Sequence, residues 1–145
     1  MSFPLLKDHL AARLQSNRPT NAWYKFESQH VYIRIQWLRL EWGQNTDGTY
    51  PPLERCVTLA NISTPETEQR KGGFYRLLDL IREHTDMPIV IENVRDDWFF
   101  RLRFNGWHLT RSTADISRTL HLRKGETRHD LRTKTGPTVS EDADG

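Results

Sequence analysis

The feature that most constrains the fold is an unbroken order of strand, glycine turn, amphipathic helix and strand between residues 55 and 91. Arg55-Cys56-Val57-Thr58-Leu59-Ala60-Asn61-Ile62 is an apolar run that reads as a buried strand, and Ile89-Val90-Ile91 reads as a second one. Between them, Phe74, Leu77, Leu78 and Ile81 recur at i, i+3, i+4 and i+7, the spacing of one buried helix face. A crossover of this kind within one sheet makes its two strands parallel.

The turn that starts this helix, within Glu66-Thr67-Glu68-Gln69-Arg70-Lys71-Gly72-Gly73-Phe74-Tyr75, is basic and glycine-bearing. The first N–H groups of a helix lack intrahelical partners, and the positive end of the helix dipole adds to them. With Arg70 and Lys71 alongside, the turn suits an anion, and pyrophosphate is the natural ligand. The plainer reading is a solvated charged loop capped by glycine. Gly-Lys-Ser/Thr at phosphate-loop spacing is absent, and so is Gly-x-Gly-x-x-Gly, so neither of those nucleotide motifs applies.

A chain of 145 residues, 28% charged and 36% hydrophobic, suits one soluble domain, expected over residues 1–124. A net charge of +2 does not by itself indicate a nucleic-acid protein. The single cysteine, Cys56, excludes an internal disulfide framework; its place in a strand points to a buried thiol in a reducing, cytoplasmic setting. No signal core and no membrane-length apolar stretch is visible. The six histidines show no metal-ligand spacing, so no metal is expected.

Phe3 to Gln15 places Leu6, Leu10 and Leu14 on one helical face. Val31, Ile33, Ile35 and Trp37 then alternate, and Leu38, Leu40 and Trp42 continue on the other parity, which predicts a bulge or a strand covered on both faces. A loop from Gly43 to Pro52 leads into the Arg55 strand, giving an antiparallel meander. Trp98 to Phe104 reads as a short helix ended by Asn105-Gly106, followed by strand candidates at Trp107-His108-Leu109 and Ile116 to Leu122. Residues 125–145 read as a largely disordered tail.

From about Val31 to Leu122 the chain resembles the GCN5-related N-acetyltransferase (GNAT) family, in particular the shorter divergent members seen in bacteriophage genomes. The resemblance rests on Gln69-Arg70-Lys71-Gly72-Gly73-Phe74 between a strand and a helix, and on Asn105-Gly106-Trp107 later in the chain. It implies an α/β fold with a GNAT-like mixed central sheet and flanking helices, the two central strands parallel and splayed. It also implies acetyl-CoA as acetyl donor, with its pyrophosphate on Gln69, Arg70, Lys71, Gly72, Gly73 and Phe74. Main-chain groups near Asn61, Ile62 and Ser63 would pair with the pantetheine arm, and Asn93 would contact the cofactor or simply cap a turn.

The implied reaction is direct attack of a primary amine on the thioester, which needs positioning, an oxyanion donor and a proton acceptor rather than a triad. Glu54 and Glu92, at the ends of the two strands, are the candidate bases; either also reads as a solvated strand-end residue. Many family members protonate the leaving thiolate with a tyrosine where this chain has Leu102, which leaves Tyr75 as the candidate acid or no acid at all. The acceptor, whether small molecule, protein or modified nucleic acid, is not legible, and a homodimer stays open. Two other classes stay open as well: a non-catalytic GNAT-fold binding module, and a nucleic-acid-associated protein using the basic residues from Arg111 to Lys134. For the latter, a solvated tail is the simpler account.

Overall fold

The computed structural model describes residues 3–16, 20–41, 43–68, 72–92, 94, 98, 101–103, 105–110 and 118–127. Among them, helix α1 (Leu6–Gln15) precedes strands β1 (Thr20–Phe26), β2 (Gln29–Leu38) and β3 (Glu54–Ser63), followed by helix α2 (Gly73–His84), β4 (Ile89–Ile91), β5 (His108–Leu109) and β6 (Leu120–Leu122). The six strands form one mixed sheet in the order β1-β2-β3-β4-β6-β5. β3 and β4 run parallel through the pairs Val57/Ile89, Thr58/Val90 and Leu59/Ile91, as the crossover order predicts; the other neighbours are antiparallel.

One sheet face is closed by both helices. Leu6, Leu10 and Leu14 of α1 and Phe74, Leu77, Leu78 and Ile81 of α2 join Val31, Ile33, Ile35, Val57, Leu59, Ile89, Ile91, Leu120 and Leu122 in a single core. Each such side chain contributes about 1.5–3 kcal/mol by leaving water, so the helix stripes fix the packing face. On the opposite face Leu40, Cys56 and Val90 form a small second cluster, with Leu38 packed against it. The parity change after Trp37 is thereby explained: β2 ends at Leu38, and Leu40 covers the second face from outside the strand. A bulge also exists, but on β3. Tyr32 pairs with Asn61 and Ile33 with Leu59, so Ala60 is the extra residue.

Strand β1 is absent from the sequence reading, which passes from the helix ending at Gln15 to Val31. Half-buried Trp23 interrupts the apolar alternation of Ala22, Tyr24 and Phe26, so the period-2 signal is weak, and the strand is held by pairing with β2 along its whole length. The Ile116 to Leu122 candidate is a strand from Leu120, residues 111–117 lying outside the described set. Asn105-Gly106 ends the helical turn at 101–103 with Gly106 at φ 96°; the Trp107 N–H donates to the Leu102 carbonyl and the Gly106 N–H to that of Arg103. These are the two bonds of a Schellman cap, and Trp107 and Leu102 are both buried in the core beneath it.

Gly125, Glu126 and Thr127, read from sequence as the start of a tail, are part of the described structure, while residues 128–145 fall outside it. The Gly125 N–H donates to the Asp86 carbonyl. Arg82, in the last turn of α2, donates to the carbonyls of Thr85 (3.1 Å), Met87 (2.7 Å) and Glu126 (2.8 and 3.1 Å). One guanidinium thus ties the helix end, the turn into β4 and the turn after β6. Arg82→Met should cost about 2–4 kcal/mol, since charged hydrogen bonds are lost and part-buried carbonyls are left without a donor; urea denaturation of the two proteins measures it.

Candidate functional site

The parallel pair fixes which groups share an end of the sheet. β3 leads into the start of α2, so that start lies at the carboxyl end of β3, and β4, running parallel, delivers Glu92 to the same end. The Glu92 N–H donates to the Leu59 carbonyl at 3.2 Å, and β3 continues beyond Leu59 to Ser63, paired there with β2. Asn61 and Ser63 are exposed on this extension, and Ile62 is half-buried against the core.

The helix start itself is unusual. Its N-cap is Gly72, left-handed at φ 80°, and no side chain caps it. A Cβ on Gly73 would lie 2.7 Å from Nε2 of Gln29, the first residue of β2, so this position excludes any side chain while Gln29 stays in place. Phe74 points into the core against Trp98 (ring centroids 4.6 Å apart), and Tyr75 is half-buried beside it. Gln69, Arg70, Lys71 and Asn93 lie outside the described residues.

The two candidate bases are far apart. Glu54 starts β3, five residues before Leu59, so about 16 Å of strand separates it from Glu92 at ~3.3 Å per residue. Glu92 stands at the end shared with the α2 start, on the face opposite the core, where Arg34 Nη1 donates to both its carboxylate oxygens at 3.2 and 3.4 Å. Glu54 stands at the far end. Burial raises its pKa, the charge of Glu41 raises it further, and Arg123 opposes both.

Glu41 belongs to a polar chain, buried at Thr110 and His121 and open to solvent at Arg123, that the sequence reading does not contain. His121 Nε2 is 2.5 Å from Glu41, His121 Nδ1 is 2.9 Å from the Thr110 hydroxyl, and Arg123 donates to Glu41 at 2.8–3.0 Å. Burial lowers the His121 pKa and outweighs the opposing pull of Glu41. Burial acts to raise that of Glu41, but hydrogen bonds from His121 and Arg123 leave it lowered. An ionised Glu41 only accepts, so neutral His121 donates from Nε2 and accepts a hydrogen bond from the Thr110 hydroxyl at Nδ1. The order hydroxyl, imidazole, carboxylate is that of a nucleophilic relay, yet Thr110 and His121 are both fully buried and both imidazole nitrogens are already hydrogen-bonded, so the chain ties β6 in place. The available signal was the alternation Leu120-His121-Leu122, which sends His121 to the second face.

Comparison of the chain with protein-family models, curated proteins and solved structures finds no match in any of the three. Among the described residues no group of three or more His, Cys, Asp and Glu could hold a metal ion, and no helix is long and apolar enough to cross a membrane. Of the basic residues toward the C-terminus, Arg123 is committed to Glu41; Arg111, Arg128, Arg132 and Lys134 lie outside the described set.

Two outcomes follow from these environments. The unfolded chain protonates His121 near its ordinary pKa of 6.5 while the folded chain resists, so the unfolded state binds more protons and stability falls as pH drops below 6.5. The lowered Glu41 adds a further loss below about its ordinary 4.5. His121→Gln should flatten the first part of this dependence in denaturation curves taken between pH 7.5 and 5. Cys56 is fully buried, and burial pushes its thiol up to about 12; at pH 8 iodoacetamide should modify it only after denaturation, as mass spectrometry would register.

Proposed function

We propose that the chain is an acetyl-CoA-dependent N-acetyltransferase of GNAT type, acting on a primary amine. The observation that carries this reading is the meeting, at one end of one parallel pair, of a glycine-started helix, a strand extending past its neighbour and a carboxylate. An uncapped helix start with a left-handed glycine suits a pyrophosphate, because N–H groups and dipole face it without a side chain intervening. Arg70 and Lys71 precede it in sequence and would add charge. The Asn61–Ser63 extension, carrying main-chain groups beyond the last β3/β4 pair, suits an extended pantetheine arm.

In the reaction the chain's residues position and deprotonate. An alkylammonium has a pKa near 10, so a proton must leave before the nitrogen attacks. Glu92 takes it, directly or through one water, and Arg34 fixes the carboxylate's direction. The nitrogen bonds to the acetyl carbon, the carbon–sulfur bond breaks, and CoA leaves as a thiolate that takes a proton from Tyr75 or solvent, while the acetylated nitrogen gives up its second proton to solvent, from which Tyr75 is reprotonated. Holding amine and thioester in attacking geometry supplies about 7–11 kcal/mol. Glu54, about 16 Å of strand away, has no part in this reading. Cys56 has none either, being buried and high in pKa.

The Arg34–Glu92 pair gives the rival reading its one support: a carboxylate held by a guanidinium is also what a non-catalytic binding module of the same fold would contain. Calorimetry and turnover separate the two. CoA should bind the parent, and reversing charge at Arg70 and Lys71 should weaken it at least tenfold, while the same change at Arg128 and Arg132 leaves it unchanged. With an amine panel, Glu92→Gln should lower kcat about 10²-fold with little effect on CoA affinity, and Cys56→Ala should stay active. CoA binding without turnover of any amine establishes the module; no CoA binding at all ends both readings.

A further inference from the structure

The start of α2 is not built by its own turn alone. The two-residue hairpin Glu27-Ser28 between β1 and β2 lies against it, since Phe26 pairs with Gln29 across the turn and Gln29 touches Gly73. Arg76, in the first turn of α2, donates to both carboxylate oxygens of Glu27 at 2.8–3.1 Å. Arg76 in turn folds back so that Nη1 lies 3.1 Å from where a Gly72 side chain would begin.

Gln29 is the unexpected member. It is 2% exposed, and its Nε2 is buried with no hydrogen-bond partner, while its Oε1 accepts a long bond from the Thr64 hydroxyl at 3.4 Å. A buried amide N–H₂ left unpaired costs free energy, and here it lies beside Gly73, at a helix start that no side chain caps. An unpaired side-chain donor and an uncapped helix start thus meet at Gly73. An anion with several oxygens would accept from both at once.

We infer that Gln29 is a ligand-binding residue, its carboxamide N–H₂ donating to a phosphate-type polyanion seated on the start of α2. The inference rests on the acetyl-CoA reading only for the identity of that polyanion as the cofactor's pyrophosphate. It explains why position 73 is glycine: the space a Cβ would take belongs to the carboxamide. It also gives the β1-β2 hairpin a role in binding.

The test is calorimetry of the full chain with inorganic pyrophosphate and, separately, with CoA, using the parent, Gln29→Met and Gln29→Glu. Methionine keeps the length and removes the donor, so it should fold at least as stably as the parent and bind about tenfold more weakly. Glutamate sets a negative charge against the anion and should bind more weakly still. In the ¹⁵N-labelled parent, the Gln29 side-chain N–H₂ signal should move downfield when pyrophosphate is added, a change that a purely packing role would not produce; this decides the matter if either variant fails to fold. Pyrophosphate binding that depends on Gln29, without CoA binding, upholds the anion site and overturns the acetyl-CoA reading. CoA binding with equal affinity in all three proteins, or an unmoved N–H₂ signal in the pyrophosphate-bound parent, overturns the role of Gln29 and leaves that reading standing. No binding of either probe overturns both.

Discussion

The parallel pairing of β3 with β4 is the constraint on which the rest of the structure depends. Parallel neighbours need a crossover, and the crossover needs a covered face, so α2 must carry a stripe wide enough to seal the sheet. Phe74, Leu77, Leu78 and Ile81 provide it. The same pairing decides that the helix start, the β3 extension and Glu92 share one end while Glu54 lies at the other. A hairpin in place of the crossover would have placed the second strand's carboxyl end at the opposite side and dispersed these groups.

What was legible in the sequence follows from where the signal is local. Strand β3, helix α2 and strand β4 announce themselves by runs and spacing within a few residues, and the Asn105-Gly106-Trp107 stop is a cap whose bonds are also local. Strand β1 was not legible because Trp23 sits among its inward residues and breaks the alternation. The parity change after Trp37 was visible but ambiguous, since a bulge and a second covered face leave the same trace; both occur, on different strands. Glu54 enters β3 and Glu92 leaves β4, so the parallel order read from sequence already sets them at opposite ends, and the structure supplies the distance between them.

The second face shows why polar chemistry is harder to read than packing. Arg34–Glu92, Gln36–Thr58 and Thr110–His121–Glu41–Arg123 run across it as paired groups. Glu41 and His121 are 80 residues apart, and no spacing rule connects them. Their pairing also sets what they can do. A fully buried imidazole already committed at both nitrogens holds the segment leading out of β2 against β6, and its removal from solvent is what makes it sensitive to acid. Burial and satisfied bonds therefore argue for structure here, whereas at the other end of the sheet an unsatisfied donor argues for a ligand.

The hairpin that presents that donor is itself held out of its relaxed shape. Glu27 has φ 54°, in the left-handed region where a residue with a Cβ pays about 1–2 kcal/mol. An exposed ion pair such as Glu27–Arg76 is screened by solvent and contributes little, so it does not by itself hold the turn there. The remaining hold is the full antiparallel register from Thr20/Ile35 to Phe26/Gln29, which leaves two residues to reverse the chain. Register thus fixes Gln29 beside α2, where a Cβ at position 73 would displace its carboxamide. Two residues 44 positions apart constrain each other through a strained turn, and the donor they leave unpaired is the point at which fold and binding become one problem.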